Sequence, residues 1–174
     1  MTMPHWLALT VENSVESLNR VFHLLRRRHL PVGFISICRT EDPQDLRLVI
    51  PVDPAQVDPE RVRANLEKLL CVKAVEDWGG QPLVVRDVAL VKVQAPAEAW
   101  VEIAQLAEFY RARIVDVGPE TLILEVTGSA DKVDSFIARL QRFGIVAVTR
   151  SGPLAMPRGH AEAAPLDRTA EVVP

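Results

Sequence analysis

The chain has little with which to run a reaction. Its 174 residues include four histidines and two cysteines, and no His, Cys, Asp or Glu group stands at metal-ligand spacing. A glycine-rich phosphate loop is missing, which excludes the usual nucleotide-cradling motif. Aromatic residues make up 5% of the chain, and no strand carries the exposed aromatic pair of an RNA-reading sheet. A net charge of -3 gives no general attraction to nucleic acid or anionic membrane. Long apolar runs are also lacking: none approaches the roughly 18 residues of a membrane span, and the N-terminus has no signal-peptide pattern. The expectation is a cytoplasmic protein bound to neither membrane nor nucleic acid. Cys38 and Cys71 stand among apolar neighbours and read as two buried thiols, a disulfide between them being the open alternative.

What the chain does have is one structural sentence written twice. Trp6–Val11 reads as a strand, and Asn13 with Glu16 three positions on reads as a capping box opening a helix. Leu18, Val21, Phe22 and Leu25 form the predicted apolar face of that helix. It should end near His29, because Pro31 disfavours helical geometry in the residue before it. Val32–Arg39 and Leu46–Val52 form a predicted hairpin around Glu41-Asp42-Pro43-Gln44. Asp58-Pro59 opens a second helix with Val62, Leu66, Leu69 and Leu70 as its buried stripe. Val72–Asp77 closes the unit. After the turn Trp78-Gly79-Gly80-Gln81-Pro82 the order recurs: a strand over Val84–Gln94, then a helix from Pro96 with Trp100, Ile103, Ala104 and Ala107 inside. A hairpin follows at Arg113–Val117 and Thr121–Thr127, then a helix capped by Ser129 with Val133, Phe136, Ile137 and Leu140 inside, and a strand at Ile145–Val148.

The fold class expected is therefore α+β. Two tandem ferredoxin-like βαββαβ units occupy residues 4–78 and 84–155, each an antiparallel sheet with helices on one face. Residues 156–174, rich in Ala and Pro, read as a loose tail. Units of about 70 residues are marginal alone and should lean on each other or on another chain. A duplicated small fold without a catalytic constellation points to sensing and assembly.

Two local features could bind a ligand. Arg26-Arg27-Arg28 reads either as an anion patch or as three cations placed where the dipole of a helix C-terminus favours them. The Asn13–Leu18 turn, a strand running directly into a helix, offers backbone N–H groups for a carboxylate and an Asn amide for an ammonium group. The competing reading is that Asn13 and Glu16 merely cap their own helix.

These residues also carry a resemblance. Val11-Glu-Asn13 ahead of Leu18 and Arg20-Val21, Thr40-Glu-Asp-Pro43, and Val88-Ala-Leu-Val-Lys92-Val resemble the small, regulatory subunits of acetolactate synthase. So do Phe109-Tyr-Arg-Ala-Arg-Ile-Val-Asp-Val117, Thr127-Gly128 with Lys132-Val-Asp-Ser-Phe136, Arg150-Ser-Gly152 and Met156-Pro-Arg-Gly159. The resemblance runs in order through residues 5–159. It implies a homodimer of chains, each with an N-terminal ACT domain and a related C-terminal domain. It also implies a partner, a large catalytic subunit that carries thiamine diphosphate, Mg2+ and FAD, while this chain carries no cofactor or metal and no catalytic residue.

In many such proteins valine binds between two N-terminal domains and inhibits. The resemblance places the effector positions at Asn13, Glu16, Ser17 and Leu18 of one chain with Pro31 and Val32 of the other. Here the sequence departs from the family. Glu16 stands where a glycine is usual, adding bulk and negative charge beside an incoming carboxylate, and Pro31 stands where an Asn amide is usual. The function expected is a non-catalytic activator of the large subunit in branched-chain amino acid biosynthesis, with valine feedback weakened or lost. The alternative is a free-standing ACT-type amino-acid sensor or the partner of another enzyme.

Overall fold

The computed structural model describes residues 5–28 and 34–159. The chain divides into two compact units, the second being Val85–Ala155. In the first, β1 (His5–Glu12), α1 (Val15–Arg27), β2 (Ser36–Arg39), β3 (Asp45–Val52), α2 (Pro59–Leu66) and β4 (Val72–Asp77) follow in order. The strands form an antiparallel sheet in the order β2-β3-β1-β4. Alternation along β1 and β3 puts Leu7, Leu9, Leu48 and Ile50 on one face, where Val21 and Leu25 of α1 and Val62 and Leu66 of α2 complete a closed core.

The second unit repeats the plan. It comprises β5 (Leu83–Gln94), α3 (Trp100–Phe109), β6 (Arg113–Val117), β7 (Thr121–Gly128), α4 (Ala130–Leu140) and β8 (Ile145–Arg150). The strand order is β6-β7-β5-β8, with β9 (Leu154–Pro157) added against β5. Val91, Val93, Leu122 and Leu124 face Ile103, Val133, Phe136 and Leu140 in a second core. Ordered strand thus runs two residues into the segment read from sequence as a tail, while residues 160–174 lie outside those described.

An ion network ties this unit together. Asp87, only 1% exposed, accepts a hydrogen bond from Arg150 Nε at 2.5 Å, and Arg150 Nη1 donates to Asp134 of α4 at 2.5 Å. Burial opposes the Arg150 charge, but the bonds to Asp87 and Asp134 more than offset it and raise the guanidinium pKa above its ordinary value. The neighbouring Ser151 exchanges bonds with Val88: its N–H donates to the Val88 carbonyl at 2.9 Å, and its Oγ accepts from the Val88 N–H at 3.0 Å. The Arg150-Ser-Gly152 motif is therefore a brace joining β5, the end of β8 and α4.

Several sequence expectations shift. Cys38 is exposed and only Cys71 is buried, both as free thiols. The reason is that β2 is an edge strand, on which Cys38 lies opposite Arg47 on the face turned away from the helices. Phe22 is also exposed, because the buried stripe of α1 is Ser17, Val21 and Leu25, with Leu18 and Leu24 beside it. Helix α2 stops at Leu66, and the chain tightens into i→i+3 turns, from Leu69 N–H to the Leu66 carbonyl and from Val72 N–H to the Leu69 carbonyl. Helical phase is lost there, so Leu69 still reaches the core while Leu70 is 80% exposed. A 3-10 turn at Ala97–Ala99 likewise rephases α3. Ile103 and Ala107 are buried, Leu106 packs beside them, and Trp100 and Ala104 are exposed.

Candidate functional site

The β1–α1 turn is built differently from a capping box on Asn13. Asn13 extends the strand: its N–H donates to the Gln44 carbonyl at 2.7 Å, and its Nδ2 donates to the Pro43 carbonyl at 3.0 Å. That moves the helix cap one residue on, to Ser14, whose backbone is extended (φ -142°) and whose Oγ accepts from Ser17 N–H at 3.1 Å. Ser14 Oγ in turn donates to Ser17 Oγ at 2.8 Å, so the small residue at this position lies buried inside the cap. Glu16 is exposed in the first turn of α1, where a carboxylate complements the helix dipole. Leu18 is half-buried against the core. Pro31 and Val32 lie outside the described residues. Replacing Ser14 with alanine removes the cap, and the first unit should lose about 1 kcal/mol, measurable as a shift of the chemical-denaturation midpoint. A midpoint unchanged within error would mean that the cap carries no stability.

The Thr40-Glu-Asp-Pro43 motif presents the other wall. Thr40 Oγ1 donates to the Asp42 carbonyl at 2.9 Å, and Asp42 Oδ1 accepts from Gln44 N–H at 2.9 Å, closing a tight turn that aims the Pro43 carbonyl at Asn13. Between these walls lies an open depression of about 490 Å³ lined by Glu12, Asn13, Pro43, Gln44 and Lys73.

Sequence reasoning missed Lys73. It sits in a bulge of β4: Thr10 pairs with Ala74 and Val11 with Val72, leaving Lys73 as the extra residue. A bulge re-aims a side chain, and Lys73 Nζ reaches Asp45 at 2.6 Å. The hydrogen bond that Lys73 donates to the Asp45 carboxylate raises the Lys73 pKa above its ordinary value, so the group stays an ammonium. Its distance in sequence from Asn13 hides the pairing, and no local pattern announces a bulge. The register of β1 against β4 is the one signal that would have located it.

Chemically the depression offers the Glu12 carboxylate, the amides of Asn13 and Gln44, and the Lys73 ammonium, which is already paired to the buried Asp45. That balance suits a cationic group better than a carboxylate. Among the described residues no three His, Cys, Asp or Glu side chains are placed to hold a metal ion, and no helix is long and apolar enough to cross a membrane.

Known proteins place this architecture. A sequence profile of the family described as the small subunit of acetolactate synthase matches residues 86–159. A Methanothermobacter thermautotrophicus protein, named "Probable acetolactate synthase small subunit", is 37% identical over 89% of this chain and 93% of its own length. The acetolactate synthase small subunit of Bacillus subtilis is 31% identical over 98% of this chain and 100% of its own length. The crystal structure of the small subunit from Thermotoga maritima superimposes with a TM-score of 0.82 at 32% identity, covering 92% of this chain and all of that one. With the ACT-like βαββαβ units already seen in the fold, these matches make the chain a member of the acetolactate synthase small-subunit family, a non-catalytic regulatory subunit of branched-chain amino acid biosynthesis.

Proposed function

We propose that this chain, as a cytoplasmic homodimer, binds and activates the large catalytic subunit of acetolactate synthase. That subunit would carry the thiamine diphosphate, Mg2+ and FAD. The observation that carries this reading is end-to-end likeness to small subunits, at 31% identity over 98% of the chain and 100% of the Bacillus subtilis relative. Activation then requires the small subunit to bind the active conformation of its partner more tightly than the inactive one, because equal affinity would shift nothing. Dimerisation is proposed through the N-terminal sheets. The edge strand β2 has an exposed Ile37, and pairing two edges would bury apolar surface and satisfy free backbone groups together.

The test is reconstitution. The purified chain alone should form no acetolactate and elute with the mass of a dimer by light scattering. Mixed with the cognate large subunit at saturating pyruvate, it should co-elute and raise product formation several-fold or more. An unchanged rate with no co-elution would sink the assignment and favour a free-standing amino-acid sensor. A monomer mass at micromolar concentration would sink the dimer.

Valine feedback is proposed to be weak. Glu16 stands exposed in the first turn of α1, and the nearby depression is lined by the Glu12 carboxylate, while its ammonium, Lys73, is already paired to Asp45. Both features support poor binding of an amino-acid carboxylate.

A further inference from the structure

The arginines of α1 do more than answer a helix dipole. Arg20, Leu24, Arg27 and Arg28 stand at i, i+4, i+7 and i+8, on one face of the helix. With Arg61 of α2 they border two adjoining cavities of about 250 and 210 Å³ that share Leu24, Arg27 and Arg28. The dipole favours Arg27 and Arg28 at the end of α1. It does not account for Arg20, near the middle of that helix, and it opposes Arg61, the third residue of α2, at the positive end of that helix.

Elsewhere five guanidinium groups find carboxylates, while Arg26, Arg39, Arg86, Arg111, Arg139 and Arg158 pair with none among the described residues but stand singly rather than around a shared cavity. Arg47 pairs with Glu76, Arg63 with Glu60 and Glu67, Arg113 with Glu125, Arg142 with Glu102, and Arg150 with Asp87 and Asp134. Around this cleft no acidic side chain lines either cavity, and among the described residues the guanidinium groups of Arg20, Arg27 and Arg61 have no partner. Arg28 is held in place, its Nη2 donating to Asn65 Oδ1 across the two helices at 3.0 Å. In a chain of net charge -3, Arg27, Arg28 and Arg61 border one cavity whose apolar lining is Leu24, Val57 and Val62, and Arg20 borders the adjoining one.

We propose that the cleft between α1 and α2 binds a small, multiply charged phosphate compound, a diphosphate or a diphosphate ester. Planar guanidinium forks match phosphate oxygens in pairs. A single carboxylate would leave most of these cations unanswered, and the apolar floor suits the organic part of an ester. The two cavities together have the size of a small-molecule site.

Calorimetric titration of the full chain tests this, with sodium diphosphate and with a nucleoside diphosphate as separate probes at low salt. One saturable site per chain is expected. Arg27→Gln and Arg61→Gln should each weaken it about tenfold or more, the loss of a charge-assisted bond. Arg26→Gln removes the same charge from the same turn but borders neither cavity, and should change affinity less than about twofold. Tighter binding of the nucleoside diphosphate assigns the floor to an organic group, and equal binding assigns the site to the inorganic anion. Circular dichroism checks each variant's fold. If Arg61→Gln does not fold, Arg61→Lys keeps the charge without the fork and should still bind more weakly than wild type. No saturable binding by the wild-type chain, or equal weakening by Arg26→Gln and Arg27→Gln, overturns the proposal.

Discussion

Replacing Asp87 with alanine should destabilise the second unit by about 3 kcal/mol, at the lower end of what losing one partner of a buried ion pair costs. The lower end applies because Arg150 is about a third exposed at its side chain and keeps Asp134 as a partner. The loss has two parts, since Arg150 gives up its bond to Asp87 and Ser151 Oγ gives up its contact with Asp87 Oδ1 at 3.4 Å. Asp87→Asn, which keeps shape and one acceptor, should cost less than Asp87→Ala. Denaturation midpoints of the two variants and of Arg150→Ala check this. An Asp87→Ala variant within about 0.5 kcal/mol of wild type, the usual range for surface substitutions, would show that the brace holds nothing.

If the β1–α1 turn is the effector loop that the resemblance implies, converting it towards the family pattern should create valine binding. At a separation of about 4 Å, the repulsion between the Glu16 carboxylate and an incoming one is about 1 kcal/mol at the dielectric of water and about 4 kcal/mol at a partly closed site. Glu16→Gly should therefore raise affinity by about fivefold in the open case and by nearly three decades in the closed one. Because Glu16 is exposed, the open case applies to one chain by itself, and the closed case needs a second chain across the loop. Pro31→Asn restores an amide and should recover less than Glu16→Gly alone, since it removes no opposing charge. Calorimetry with valine, leucine and isoleucine, alongside inhibition of the reconstituted enzyme, reads the effect. Tight valine binding by the unmodified chain, with inhibition at matching concentration, would overturn this reading of Glu16. It would instead point to a ligand turned so that Glu16 meets its ammonium group.

Much of the architecture was legible because strands and helices here carry clean periods. Val72–Asp77 and Arg113–Val117 have the predicted bounds, and Ser129 and Asp58 cap the helices expected of them. Apolar residues at period 2 and near period 3.6 can be buried on only one face, so the chain order determines a doubled βαββαβ plan before any contact is known. The resemblance to small subunits was legible too, since its motifs are continuous stretches of sequence. Some of them proved to be local braces, such as the Thr40–Gln44 turn and the Val88–Ser151 exchange.

What the tertiary structure decided were the phases and meetings that depend on distant residues. Asn13 gives up the helix cap to Ser14 because the Pro43 and Gln44 carbonyls, brought close by the β1–β3 register, offer it better partners. Cys38 is exposed because, among the described residues, β2 has no neighbour on its outer edge and turns Cys38 to the face away from the helices, a fact of strand order and register rather than of local composition. Lys73 reaches the depression beside Asn13 only through a bulge, where one extra residue turns a side chain that strict alternation would send elsewhere. The arginine cleft has the same origin. Arg27 and Arg61 belong to different helices, and only the packing of α1 beside α2 on one sheet face sets their charges around a single concavity.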